Sequence, residues 1–109
     1  MNISVRESGA ARVVDLDGEV DLGTSPRLRR ALFDLLEKSS KLAINLQALR
    51  YIDSSGIATL IEVLKDAQRL QKEFVLFGLS PAVQDVFRLT HVNRVFRIVE
   101  TEEQAIAAS

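Results

Sequence analysis

Apolar positions fall into short extended runs near the start of this chain and recur at helical spacing further on. Ile3 to Glu7 is a short strand candidate, Ser8-Gly9 is a turn signal, and Ala11 to Asp17 is β-branched with Val14 and Leu16 on one face. Together they predict a β-hairpin. Beyond Gly18-Glu19-Val20-Asp21 and Leu22-Gly23-Thr24, the pair Ser25-Pro26 predicts a helix start, with Ser25 as N-cap and Pro26 in the first helical position. Leu28, Leu32, Leu35 and Leu36 then lie at i, i+4, i+7 and i+8, the buried stripe of an amphipathic helix that fades at Ser39-Ser40.

A strand over Lys41 to Leu46 leads towards Asp53-Ser54-Ser55-Gly56. Ile57, Leu60, Ile61 and Leu64 behind it form a second helical stripe. Phe74 to Phe77 is a continuous apolar run, as expected of an interior strand covered on both faces, and Gly78 ends it. Ser80-Pro81 repeats the cap-then-proline signature ahead of Val83, Val86 and Phe87. Val95 to Val99 reads as a last strand, and Thr101-Glu102-Glu103-Gln104 has capping-box spacing before a short C-terminal helix. The order β-β-α-β-α-β-α-β-α predicts an α/β fold. It has a mixed, mostly parallel sheet of five strands with four helices, and the hairpin supplies the antiparallel part. At 109 residues the chain has room for one core, so residues 1–109 are read as a single domain without linker or repeat.

Composition narrows the function. Fourteen basic and fifteen acidic residues leave a net charge of −1, and no Lys/Arg block forms the stripe of a nucleic-acid binder. The absence of cysteine removes disulfides, thiolate metal sites and thiol catalysis. Met1 to Glu7 lacks the basic and apolar regions of a signal peptide. No apolar run approaches the roughly 20 residues that span a bilayer. A cytoplasmic protein without direct membrane insertion is the expectation.

The candidate chemistry lies at Asp53-Ser54-Ser55-Gly56, two hydroxyls and a carboxylate at a strand-to-helix junction. Free N–H groups and a positive helix end at such a place suit a phosphate, or a serine that receives one. The same residues also read as structure: Asp and Ser are preferred caps, and Gly permits an unusual backbone angle. A nucleophilic-serine enzyme would need a base and an oxyanion hole. The single histidine, His91, stands in Leu89-Thr90-His91-Val92, a loop or helix-end setting, and there is no G-x-S-x-G elbow. Asp15, Asp17, Glu19 and Asp21 alternate as a solvated strand face does, with no His or Cys to complete a metal site. No phosphate-binding glycine loop is present. Neither a metal nor another cofactor is expected, and the chain does not read as an enzyme.

Three stretches resemble the STAS domain shared by sulphate transporters and bacterial anti-sigma factor antagonists. They are Gly18-Glu19-Val20-Asp21; Ile52-Asp53-Ser54-Ser55-Gly56-Ile57; and Phe77-Gly78-Leu79-Ser80-Pro81-Ala82-Val83 with Phe87-Arg88-Leu89-Thr90 and Val95-Phe96. The likeness runs from about Ile3 to Ala107 and is to the free-standing antagonist type. It implies a STAS-type fold and a protein that binds an anti-sigma factor serine kinase and thereby releases a sigma factor. The kinase would supply the base and the ATP. It would phosphorylate the second serine of the motif, here Ser55, and a metal-dependent serine phosphatase would restore it. Asp53, Ser54 and Gly56 would shape the acceptor loop. Asp21, with Thr24 and Ser25 in the neighbouring loop, would meet the partner. The alternative within the same family is an adaptor subunit of a lipid-transport ABC complex or of a stress-signalling assembly, with the serines as contacts and caps only.

Overall fold

A computed structural model describes residues 1–107, so the last two positions of the expected 1–109 domain lie outside the described residues. The chain runs β1 (Asn2–Ser8), β2 (Ala11–Val20), α1 (Ser25–Lys38), β3 (Lys41–Ile52), α2 (Ser54–Arg69), β4 (Glu73–Phe77), α3 (Pro81–Leu89), a 3-10 turn (Val92–Arg94), β5 (Arg97–Val99) and α4 (Glu102–Ile106). The strands form one sheet in the order β1-β2-β3-β4-β5. β1 is antiparallel to β2, and the other three pairings are parallel. This is the expected mostly parallel sheet with an antiparallel hairpin at its edge.

The sheet divides its side chains between two layers. Val14, Leu16, Leu42, Ile44 and Leu76 pack with Leu28, Leu32 and Leu36 of α1, Leu60 and Leu64 of α2, and Val83 and Phe87 of α3. On the other side Val13, Ala43, Val75 and Phe77 meet Ala105 of α4. Phe74 to Phe77 are thus all buried, as expected of an interior strand. α4 has only Ala105 fully buried, and polar contacts hold it in place. Arg6 of β1 bridges Asp15 at 2.6 Å and Glu102 at 2.7 Å, and buried Lys41 donates to the Ala107 carbonyl at 2.7 Å. The capping box at Thr101 and Gln104 forms as the spacing predicts. No helix among the described residues is long and apolar enough to cross a membrane.

Three expectations are corrected. β3 does not stop at Leu46 but continues to Ile52, and β2 continues to Val20. Their pairing shifts register between Asp15 and Asp17 and again between Gly18 and Glu19. Each bulge adds a residue to β3, so Leu46, Leu49 and Ile52 are buried at intervals of three and the period-2 signal is lost. The last strand begins at Arg97, because Val95 closes the 3-10 turn by donating its N–H to the Val92 carbonyl. Ser25 is the first residue of α1 and not its N-cap. Thr24 holds the cap position, with no capping bond from its side chain.

Phe87 anchors the region that local pattern described least well. It is 1% exposed and packs on Phe96 at 5.7 Å between ring centroids, and Phe96 in turn faces Phe74 at 6.5 Å. Phe87→Ala should destabilise the fold by about 3–4 kcal/mol. Urea unfolding checks this: the midpoint should fall while the slope stays unchanged.

Candidate functional site

Two adjacent loops at the end of the sheet carry the candidate residues. β2 and β3 run parallel and finish side by side at Val20 and Ile52, so the β2–α1 and β3–α2 loops lie next to each other. The Asp53 N–H donates to the Val20 carbonyl at 3.2 Å and fastens one loop to the other. Asp53 caps α2: its Oδ1 accepts from the Ser55 N–H at 2.9 Å and the Gly56 N–H at 3.2 Å. The same oxygen accepts the Ser55 hydroxyl at 2.5 Å. The Ser55 hydroxyl, chiefly, holds the Asp53 carboxyl below its ordinary value of 3.8, with the N–H groups of Gly56, Ser55 and Leu22 acting in the same direction against partial burial. Asp53 is therefore a charged carboxylate shared between the two loops.

The expected acceptor loop is assembled, with each member in a different state. Ser54 is exposed, and its hydroxyl has no partner among the described residues. Ser55 is half-buried, and its Oγ lies 2.8 Å from the Ser25 Oγ as well as against Asp53. Gly56 is buried inside the first turn of α2 with ordinary helical backbone, so the unusual angle expected of it is not its reason. Space is the reason: a Cβ there would come within 2.7 Å of both Ile52 Cγ1 and Val20 Cγ1. Those atoms belong to stiff, buried β-branched side chains that cannot swing away.

In the neighbouring loop the polar side chains bond within the loop itself. Asp21 Oδ1 accepts from the Gly23 N–H at 2.9 Å and the Thr24 N–H at 3.1 Å, and Thr24 Oγ1 accepts from the Asp21 N–H at 2.9 Å. Ser25, expected to face a partner, is only 6% exposed and directs its hydroxyl at Ser55 and at the Asp21 carbonyl. The outward group is one that residue type did not single out. Leu22 is 78% exposed, and its own N–H faces the Asp53 carboxylate. A lone leucine between Asp21 and Gly23, in a stretch of polar and turn-forming residues, was the available signal. Tyr51, 49% exposed, flanks the same junction.

The arrangement presents a hydroxyl and does not activate one for hydrolysis. His91 is exposed, in a left-handed turn after α3, and the partners of the Ser55 hydroxyl are a carboxylate and a second hydroxyl. A carboxylate held below its usual range is a weak base, so Asp53 orients the hydroxyl more than it deprotonates it. The 640 Å³ depression lined by Asp17, Gln47, Leu49, Arg50 and Ser80 does not include Ser55.

Comparison with known proteins bears on this geometry. The model of the STAS domain family matches residues 2–105. The anti-sigma-B factor antagonist of Listeria monocytogenes is 30% identical over 106 residues, covering 94% of this chain and 93% of that protein. Among solved structures, an anti-sigma factor antagonist from Mycobacterium paratuberculosis superposes with a TM-score of 0.87 at 24% identity, over 96% of this chain and 90% of that one. The Bacillus cell fate determinant SpoIIAA in its phosphorylated form superposes with a TM-score of 0.71 at 20% identity, over 96% of each chain. These two superpositions show the fold.

Two outcomes test the site's construction. Gly56→Ala should lower stability by about 2 kcal/mol through overpacking against Ile52 and Val20, read by thermal or urea unfolding. The second concerns acid. Asp53 and Asp15 both titrate below 3.8 in the folded protein, Asp15 chiefly through its bond from Arg6. A lowered carboxyl stabilises the fold fully above its unfolded value, and the contribution is lost as pH falls through the folded value. Stability should therefore drop on acidification below about pH 4. Asp53→Asn, which cannot titrate, should show a shallower drop over that window.

Proposed function

This chain belongs to the STAS domain family, and from that premise we propose that it is an anti-sigma factor antagonist switched by phosphorylation of Ser55. It is a regulatory binding protein of the cytoplasm and not an enzyme. Its partner is an anti-sigma factor that is also a serine kinase: binding that kinase frees the sigma factor, and a metal-dependent serine phosphatase resets the switch. The observation that carries the reading is the 2.5 Å hydrogen bond from the Ser55 hydroxyl to the Asp53 carboxylate, made on the capped and buried first turn of α2. It favours Ser55 over the more exposed Ser54, whose hydroxyl has no partner among the described residues to orient it.

The electrostatics account for switching. A phosphate adds nearly two negative charges beside the charge of Asp53 and removes the proton that bridged them. The fold tolerates the addition, because Ser55 is only half-buried and stands on the first turn of α2, at the positive end of the helix. A partner surface fitted to the unmodified loop does not, since an unpaired charge enclosed in an interface costs several kcal/mol. A loss of about 2.7 kcal/mol already weakens binding roughly a hundredfold. Leu22 and Tyr51, exposed apolar groups at the two loops, supply contact area that the buried Ser25 does not.

Intact-mass spectrometry of the protein from its native cells, with site mapping, tests the switch. A phosphate on Ser55 is expected. Ser55→Ala should fold, bind the kinase and stay permanently active, whereas Ser55→Asp should fold and bind about a hundredfold more weakly, as measured by calorimetry. No phosphate on the wild-type chain under any growth condition, with an active kinase present, would overturn the switch in favour of the adaptor reading.

A further inference from the structure

We infer that Ser25, through its hydroxyl, is a positioning residue for phosphoryl transfer to Ser55, an inference that rests on Ser55 being the acceptor. The case begins with a count of protons. Three short contacts run in a row: Ser55 Oγ to Asp53 Oδ1 at 2.5 Å, Ser55 Oγ to Ser25 Oγ at 2.8 Å, and Ser25 Oγ to the Asp21 carbonyl at 2.5 Å. Two hydroxyls bring only two protons to these three contacts. Asp53 is ionised, so it takes the Ser55 proton, a charge-assisted bond being the stronger one. The Ser25 proton goes to the Asp21 carbonyl, which can only accept and lies at 2.5 Å. The Ser25 oxygen, fixed by that bond, is then a second acceptor for the Ser55 proton, in a three-centre bond shared with Asp53.

Ser55 Oγ is then held from two sides. A charged acceptor takes its proton, and the oxygen of a buried hydroxyl in the first turn of α1 shares it. Rotation about χ1 would break both contacts, while a lone pair of Ser55 Oγ stays free to react. In the transfer, that lone pair forms the Oγ–P bond to the γ-phosphorus of ATP on the kinase. The bond from that phosphorus to its bridging oxygen breaks, ADP leaves with the electron pair, and the hydroxyl proton passes to the base the kinase supplies. Such a reaction depends almost wholly on positioning, so fixing the attacking oxygen beforehand raises its rate. The same restraint distinguishes Ser55 from Ser54, which has an exposed hydroxyl and no such anchor.

The test compares wild type with Ser25→Ala, using ATP and the serine kinase purified from the source cells by following its phosphorylation of the wild-type chain. Ser25→Ala should lower kcat on the order of tenfold with KM unchanged, and part of the phosphate should appear on Ser54. In the free proteins, the Ser55 Hα–Hβ couplings measured by NMR should report one rotamer in wild type and averaged rotamers in Ser25→Ala. Wild-type kcat and wild-type site distribution in Ser25→Ala would overturn the role of Ser25 and leave Ser55 as acceptor. So would a rise in KM alone, which would make Ser25 a binding residue. If no kinase of those cells phosphorylates Ser55 of the wild-type chain, the acceptor reading falls, and this inference with it.

Discussion

The Asp53 carboxylate is the joint on which the functional end of this molecule depends. One oxygen of one side chain gathers the first N–H groups of α2 and the Ser55 hydroxyl, and the Leu22 N–H of the neighbouring loop faces the same carboxylate. A charged acceptor is needed because several donors converge on it, and the convergence keeps it charged. Removing it would leave the Ser55 and Gly56 N–H groups without their acceptor and the Ser55 hydroxyl without its charged partner. The sheet makes this possible. β2 and β3 end in register, which brings Val20 and Ile52 level and sets their two loops within hydrogen-bonding distance.

Close packing adds a second constraint. Gly56 lets the first turn of α2 sit directly on Val20 and Ile52, with no room for even a methyl group. Ser55 is therefore mounted directly on the packed core, and a partner would meet a surface that is already formed. Preorganisation of this kind lowers the entropic cost of association. It also suits a switch in which charge changes while the fold does not, because phosphate can be added at a helix end without disturbing the packing beneath it.

Legibility in the sequence followed the range of the interactions involved. Helical stripes such as Leu28, Leu32 and Leu36, and the caps at Ser80 and Thr101, are governed by neighbours within a turn or so, and they form as their spacing predicts. The far end of β3 was not legible, because its bulges are paired against β2 and turn a period of two into a period of three. The start of β5 failed for a similar reason: Val95 has strand-like chemistry but closes a 3-10 turn ahead of Phe96, which is drawn into the core by Phe87 and Phe74. Ser25-Pro26 carries the local signature of a cap, yet the Ser25 hydroxyl donates back to the Asp21 carbonyl and lies against Ser55, thirty positions away.

By itself the sequence determined the class of fold, the alternation of strands and helices, and the place where chemistry could occur. Those properties reside in periodicity, caps and a short motif, all read from residues close together in the chain. Only the tertiary structure decided how the motif works. It set Ser55 against Ser25, made Asp53 the common acceptor at the start of α2, closed Asp21 and Thr24 into bonds within their own loop and left Leu22 facing out. The physical reason is that a hydroxyl's partners, and a side chain's exposure, depend on which distant segments the sheet brings together, and no local pattern carries that information.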